Sequence, residues 1–462
     1  MGISDELARF VCDTTYEDLP RHIIEVQKQS VLDGIAITLG AGTLGDGCKD
    51  FVDFATEMSA SGEEQATVIG FGRKLPMLWA AFANASMAHS LDFGDTYSVG
   101  TIHSNSSTLP AALAVAEYLG GISGKELLTA LVVGSEVACR LSKAASPSEF
   151  TSHGFYMPPV FTSFAATAAA GKLLGLSVDE MLSAFSFNLS QFTCSAELTQ
   201  NPDTVLRSVR EAFGAKSGLS SALLAKRGLK GFREPFEGNL GFYHAYFNGN
   251  YDSAAVTENL GTEFEAEKLI FKPWPCCMGN HGCINAALEL VKNYNIDPND
   301  IRIVHAEVPS VAKVVLEPLE QKKHPQNAIN AKFSLPFTVA AAIIDGDVTL
   351  STFGPDAIQR DDIIKLADKI TYEIHPEWDN DLAVNMGGRL TIITNHSHYQ
   401  SWAKKTVGSP ENPMSELDFR KKLSSCAEHA YISVDQERLS EIISRVQNLE
   451  NLEHIEMLTA LL

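Results

Sequence analysis

A change of period constrains this chain more than any other feature. From residue 3 to about 230, nearly every segment carries the 3.6-residue spacing of helix, with Ala, Leu and Gly on the packing faces. The spacing predicts helices over 5–14, 20–40, 75–90, 108–120, 124–143, 159–174, 178–197 and 208–227. In SVDEMLSAFSFNLSQF, Ser177 is a start signal followed by acids in the first turn. Small-residue runs such as AATAAAGKLLG let helices approach closely. Around residue 265 the pattern changes. IRIVHAEVPS (301–310), KITYEIH (369–375) and GRLTIITN (388–395) are alternating or β-branched, as strands are. Helices are expected between them near 279–293, 331–344 and 361–367, and helical spacing returns from Ser415. The expected fold is mainly α. A large all-α helical domain spans 1–265, a smaller α+β domain is inserted at 266–400, and C-terminal helices over 401–462 pack back on the helical domain.

Composition removes several function classes. With 57 acidic against 36 basic residues, the formal net charge is -21. Such a field repels nucleic acid and anionic membranes, so neither is expected as a partner. A site for an anionic substrate must then be a local basic pocket inside an acidic shell. The longest charge-free run, residues 150–171, contains Pro158-Pro159 and many Ala, Ser and Thr residues. It reads as a buried helix, not a membrane span. The start, MGISDELARF, lacks the basic and apolar regions of a secretory signal. Eight dispersed cysteines fit free thiols in a reducing compartment, so the expected location is cytoplasmic.

Three stretches carry candidate chemistry. AHSLDFGDTYSVGTIHSNSST (88–108) puts Asp92, Asp95, Thr96 and His103 on a loop between two helices, the second opening behind Ser106, Ser107 and Thr108. Turn formation and capping explain the same residue types without any activity. FKPWPCCMGNHGCINAALEL (271–290) gathers Cys276, Cys277, His281 and Cys283. Adjacent cysteines are poor chelators of one tetrahedral ion, and no paired C-x-x-C stands elsewhere, so no metal is expected. Lys272 falls instead where the helical pattern gives way, and His281 opens a helix whose N-terminal amides attract anions. In TVLRSVREAFGAKSG (204–218), Arg207 and Arg210 share a helix face. They form either a surface salt-bridge face or a receptor for carboxylates. GFG at 70–72 lacks the strand–turn–helix setting of a nucleotide fingerprint, so no cofactor is expected.

These stretches, together with LDGIAITLGAG, GFGRKLPMLWAAFANASMAHSLDFGDT, KLLGLSVDEMLSAFSFNLSQ, AKFSLPFTVAAAIIDGDV and the tail NLENLEHIEMLTALL, resemble the MmgE/PrpD family essentially end to end. That family includes 2-methylcitrate dehydratase, cis-aconitate decarboxylase and iminodisuccinate epimerase. The resemblance implies a helical domain with a smaller α+β domain, a homodimer and a metal-free mechanism. It assigns His103, Asp92, Thr96 and Lys272 to catalysis, with Arg207 where the family carries a lysine. Arg207, Arg210 and His281 are the candidates for holding substrate. Three positions depart from the decarboxylases: Met157 and Cys277 stand where those enzymes carry histidines, and their tyrosine falls near Lys313. The expected activity is a cofactor-free lyase acting next to a carboxylate of a small polycarboxylic acid, with dehydration of a citrate- or alkylcitrate-like substrate favoured. Decarboxylation of an aconitate-like acid and epimerisation of an iminodisuccinate-like acid are the alternatives. A catalytically inactive dimeric scaffold is the reading outside enzymes.

Overall fold

The computed structural model describes residues 2–145, 154–201, 204–379 and 386–462. It divides into two compact units, Met1–Phe271 with Ser415–Leu462, and Lys272–Met414. Both boundaries differ from the 265/266 and 400/401 expected from the sequence, for local reasons. Leu269–Ile270 pairs antiparallel with Thr96–Tyr97, which keeps residues 266–271 in the helical unit. His398–Ala403 is a strand of the smaller unit, and the chain beyond it stays there through the Val407 amide, which donates to Asn285 Oδ1 at 3.2 Å.

The helical unit contains α1 (Ile3–Asp13), α2 (Arg21–Leu44), α3 (Cys48–Met58), α4 (Met77–Met87), α5 (Asn105–Leu119), α6 (Gly124–Ala144), α7 (Pro158–Leu173) and α8 (Val178–Leu189). The one-turn α9 (Leu206–Val209) and then α10 (Glu211–Lys226) follow. Helix α7 is apolar all round, and nearly every one of its residues is buried, as befits a helix with neighbours on every side. Glycines set the closest approaches. A Cβ on Gly218 of α10 would lie 2.7 Å from the Ser163 carbonyl of α7, and one on Gly134 of α6 would lie 2.8 Å from the Ala165 carbonyl. The charge-free run forms α7 from Pro158 onward, while its residues 150–153 lie outside the described residues. Among the described residues, no helix is long and apolar enough to cross a membrane.

Local chemistry explains where elements start and stop. Ser177 caps α8 through a capping box with Glu180, as its sequence suggests. The helix ends at Leu189 and does not run on to 197, because the Cys194 carbonyl instead accepts the Tyr156 amide at 2.7 Å and Ser195 bridges Phe155. The expected helix over 208–227 is broken at Arg210. Helix α5 begins at Asn105, three residues before the expected start. Ser106, Ser107 and Thr108 are therefore not caps: Ser106 and Thr108 back-bond to the carbonyls of His103 and Ser104, and Ser107 reaches Glu211. The short α3 escaped prediction because only Cys48, Val52 and Ala55 of its face are buried.

The smaller unit is built on a four-stranded sheet of Ile370–Ile374, Ile301–Val308, Gly388–Thr394 and His398–Ala403, in that spatial order. The first pair is parallel and the others antiparallel. Helices His281–Asn293 and Leu335–Asp345 cover it, around a core that includes Trp274, Ile284, Val304, Phe337, Leu390 and Ile392. Gly282 and the Gly387-Gly388 pair meet backbone to backbone, since a Cβ on Gly282 would lie 2.3 Å from the Gly387 carbonyl carbon.

Candidate active site

Helix α4 ends at Met87, and the chain turns at once. The Ser90 amide donates to the Met87 carbonyl at 3.3 Å and the Asp92 amide to the His89 carbonyl at 3.1 Å. Asp92 has φ 52°, a left-handed conformation that aspartate tolerates better than most side chains. Its carboxylate reaches back to His89, with Oδ1 3.6 Å from Nε2. The His89 ring stacks on the His103 ring at 3.8 Å between centroids. His103 Nδ1 lies 2.9 Å from the Asp95 carbonyl and 3.3 Å from Thr96 Oγ1. A carbonyl can only accept, so the Asp95 contact puts the proton on Nδ1, which makes Nε2 the basic nitrogen of the neutral ring. His89, Asp92, Asp95 and Thr96 are buried, and His103 alone of the five is part-exposed.

The loop is clamped from beneath. Asp95 Oδ2 accepts from Ser30 Oγ at 2.5 Å, from Asn105 Nδ2 at 3.0 Å and from Ser104 Oγ at 3.3 Å. Burial nevertheless holds the Asp95 carboxyl above its ordinary range, because those bonds offset only part of the desolvation. The Asp95 amide donates to Asp33 Oδ2 of α2 at 3.1 Å, and Asp33 Oδ1 pairs with Lys422 at 2.5 Å. Burial pushes the Asp33 carboxyl up to about 6 against the opposing pull of Lys422. Beyond the loop, the Tyr97 hydroxyl donates to Glu265 at 2.5 Å. Burial would raise the Glu265 carboxyl, but bonds from Lys143, Lys268 and Tyr97 outweigh it and bring it down to about 2.

The other expected site residues stand on other elements. Arg210 is buried, donates to the Arg207 carbonyl, lies 3.5 Å from Glu211 and sits 5.3 Å from the Tyr156 ring centroid. It lines a cavity of about 580 Å³ with Lys216, Gln191, Asn201 and Phe213. Arg207 is half-buried on α9. Lys272 and His281 belong to the smaller unit, and both are buried. His281 was expected to bind substrate. Its ring packs 5.2 Å from Trp274, with Nε2 3.3 Å from the Cys276 carbonyl, which commits it to the 274–281 turn. The structure thus gathers Asp92, Thr96 and His103 in one cluster, while Arg210 faces a separate cavity of the same unit.

Sequence reasoning missed three contributors. His89 stands in the quoted loop but was passed over as an acid/base partner. Asp33 and Lys422 come from distant helices. Asp33 carries a sequence signal, a charge inside the apolar helical stretch VLDGIAIT, whereas Lys422 lies in the charged helix ELDFRKKLSSCA and carries none. Among the described residues, one trio of ligand-type side chains lies close enough for a shared ion: Glu307, Glu373 and His375. Arg389 already binds Glu307 there through both guanidinium branches. Among the described residues, Cys276, Cys277 and Cys283 are not joined in a disulfide.

A helical unit completed by its own C-terminus, a four-stranded α+β unit and a histidine–aspartate loop behind α4 define the class. The chain belongs to the MmgE/PrpD family, whose N-terminal domain matches residues 5–254 and whose C-terminal domain matches residues 274–448. Among individual proteins, it is similar to the cis-aconitate decarboxylase-like protein oryM of Aspergillus oryzae, at 29% identity over all of this chain and 97% of that protein. It is 27% identical to the cis-aconitate decarboxylase of Homo sapiens, over all of this chain and 94% of that one. The 2-methylcitrate dehydratase of Escherichia coli is 23% identical over 67% of this chain and 65% of its own length.

Proposed function

We propose that this protein is a lyase, needing no cofactor, that moves a proton at the carbon next to a carboxylate of a small polycarboxylic acid. The observation that carries this reading is the His103 ring, part-exposed above a buried cluster and held by the Asp95 carbonyl so that Nε2 is its basic nitrogen. For loss of water a base so positioned takes the proton, for loss of carbon dioxide its protonated form delivers one to carbon, and cations stabilise the enediolate that develops. Arg207 is the proposed receptor for a carboxylate, and the Thr96 hydroxyl is a donor beside the ring. Arg210, beside buried Glu211 and lining a cavity, and His281, within its turn, stay candidates for holding substrate. The Asp92–His89 pair, at 3.6 Å, is the proposed acid for a departing group.

Two leaving groups fit this site. Loss of water from a citrate- or alkylcitrate-like acid is favoured by the residues, since Met157, buried at the start of α7, and Cys277 offer no imidazole. Loss of carbon dioxide from an aconitate-like acid is favoured by the comparisons, because the relatives named decarboxylases align over the whole chain. Incubation with 2-methylcitrate and with cis-aconitate separates them: a dehydratase raises ultraviolet absorbance from the new conjugated alkene without gas, and a decarboxylase releases carbon dioxide. Neither signal, with either acid, would defeat the lyase reading. A cytoplasmic homodimer is part of the same proposal. The exposed side chains of Phe54, Met58, Leu206 and Phe213 lie on α3, α9 and α10, which adjoin one another, and an apolar face of this kind suits a second copy.

A further inference from the structure

We propose that Lys422 and Asp33 are positioning residues for the reaction, gripping the peptide groups on both sides of Gly94 and so fixing the tautomer and aim of His103. This inference rests on the reading of His103 as the acid/base. The contacts are specific. Lys422 Nζ donates to the Phe93 carbonyl at 2.6 Å and sits 3.8 Å from the centroid of the Phe93 ring. Asp33 Oδ2 accepts the Asp95 amide at 3.1 Å, while its Oδ1 lies 2.5 Å from Lys422 Nζ. One buried ion pair therefore holds a carbonyl and an amide that flank a single glycine.

The consequence passes to the imidazole in one step. The carbonyl that accepts the His103 Nδ1 proton belongs to Asp95, the residue whose amide Asp33 holds. Holding the Asp95 amide fixes the nitrogen side of the residue whose carbonyl is the acceptor, which limits the directions that carbonyl can take, and the acceptor sets which ring nitrogen is basic. The other supports of Asp95 come from Ser30, Ser104 and Asn105 and act on its side chain. A buried charge pair is a costly way to fill a helix interface, where apolar residues of similar volume pack as well or better. Two main-chain bonds made by the same pair give it a purpose that packing alone does not.

The test removes both charges together, because a single loss strands the other charge in the interior. In Asp33→Leu/Lys422→Met, matched in shape, neither the Asp95 amide nor the Phe93 carbonyl keeps its side-chain partner. We expect the double variant to fold, with kcat lowered about 10- to 100-fold and KM changed less than about threefold, because the carboxylate receptors are untouched. Lys422→Arg, which keeps a donor and the charge, is expected to recover part of the lost kcat. Nitrogen-15 spectra of labelled histidine, with His103 assigned by its loss in His103→Asn, should show the Nδ1-protonated tautomer in the wild type and a mixture in the double variant. Wild-type kcat and an unchanged His103 tautomer in the folded double variant would overturn the proposal. Should the double variant not fold, the wild-type spectra still decide, because a His103 ring protonated on Nε2 would overturn the proposal. If the wild type acts on no polycarboxylate, the lyase reading has failed, and the tautomer spectra alone still decide whether the pair positions the ring.

Discussion

Each unit of this molecule holds one cluster of histidine and carboxylate, and the two are built in opposite ways. In the helical unit, His89, His103, Asp92 and Asp95 crowd a loop whose carboxylates are buried, with Lys422 as the cation beneath. Burial dominates there, and it lifts Asp33 and Asp95 above the ordinary carboxylate range. In the smaller unit, Glu307, Glu373 and His375 gather beside Arg389, with Glu373 exposed. Ion pairing dominates there: Arg389 pulls the Glu307 carboxyl down, and Glu377 first of all draws the His375 imidazole up. Trp378 stacks on His375 at 4.6 Å and on Trp402 at 5.4 Å, which closes the second cluster as a surface latch. Similar residue types thus give raised carboxyls where burial dominates, the arrangement proposed to be reactive, and lowered ones where charges meet their complements.

The largest expected effect falls on the first cluster. His103→Asn keeps the shape and removes the titrating nitrogen, so kcat should fall at least about 100-fold, the lower range for a positioned base. Substrate affinity should change much less, as steady-state kinetics on the accepted acid would show. The same change at His375 should leave kcat within about twofold; a large loss there would erase the contrast between the clusters.

Stability comes next. Lys422→Met leaves Asp33 buried without its cation, and urea unfolding should show a loss of about 3–5 kcal/mol. Arg389→Met breaks a partly exposed pair and should cost about 1 kcal/mol or less.

The pH dependence sharpens the comparison through its sign. Asp33 has a folded value near 6, above the roughly 3.9 of an unfolded aspartate. The folded protein therefore binds that proton more tightly, and the Asp33 contribution to stability declines as pH rises between about 4 and 6. Asp33→Asn should flatten that decline. Glu307 is shifted the other way, so its contribution is present above about 4.3 and fades as pH falls through its lowered value. Arg389→Met should remove that smaller, opposite slope. Equal slopes in the wild type and both variants would contradict the two electrostatic plans.

Much of this molecule was legible in its residues because the informative patterns are local. Helical spacing, the Ser177 capping box and the loop of Asp92, Thr96 and His103 each lie within a short window. What escaped depends on partners far apart in the chain. Nothing near Asp33 says that its cation is Lys422, although a charge on an apolar helix face demands some partner. The segment of Arg210 does not reveal that the neighbouring Glu211 is a buried acid bonded by Ser107 and Thr162. His281 looked like an anion-binding helix start, and only the packing of Trp274 against it shows an interior ring.

The central claim is that His103 moves a proton at the carbon next to a carboxylate, and exchange with solvent deuterium measures this most directly. The protein is incubated in deuterium oxide with cis-aconitate and, separately, with 2-methylcitrate, and proton spectra follow the hydrogens next to the carboxylates in substrate and product. A decarboxylase should deliver solvent deuterium to that carbon of its product, a dehydratase should lose the hydrogen of that carbon as the alkene forms, and His103→Asn should slow either change at least about 100-fold. Wild-type decarboxylation without deuterium at that carbon, or undiminished turnover of either acid by the folded His103→Asn protein, would contradict the account.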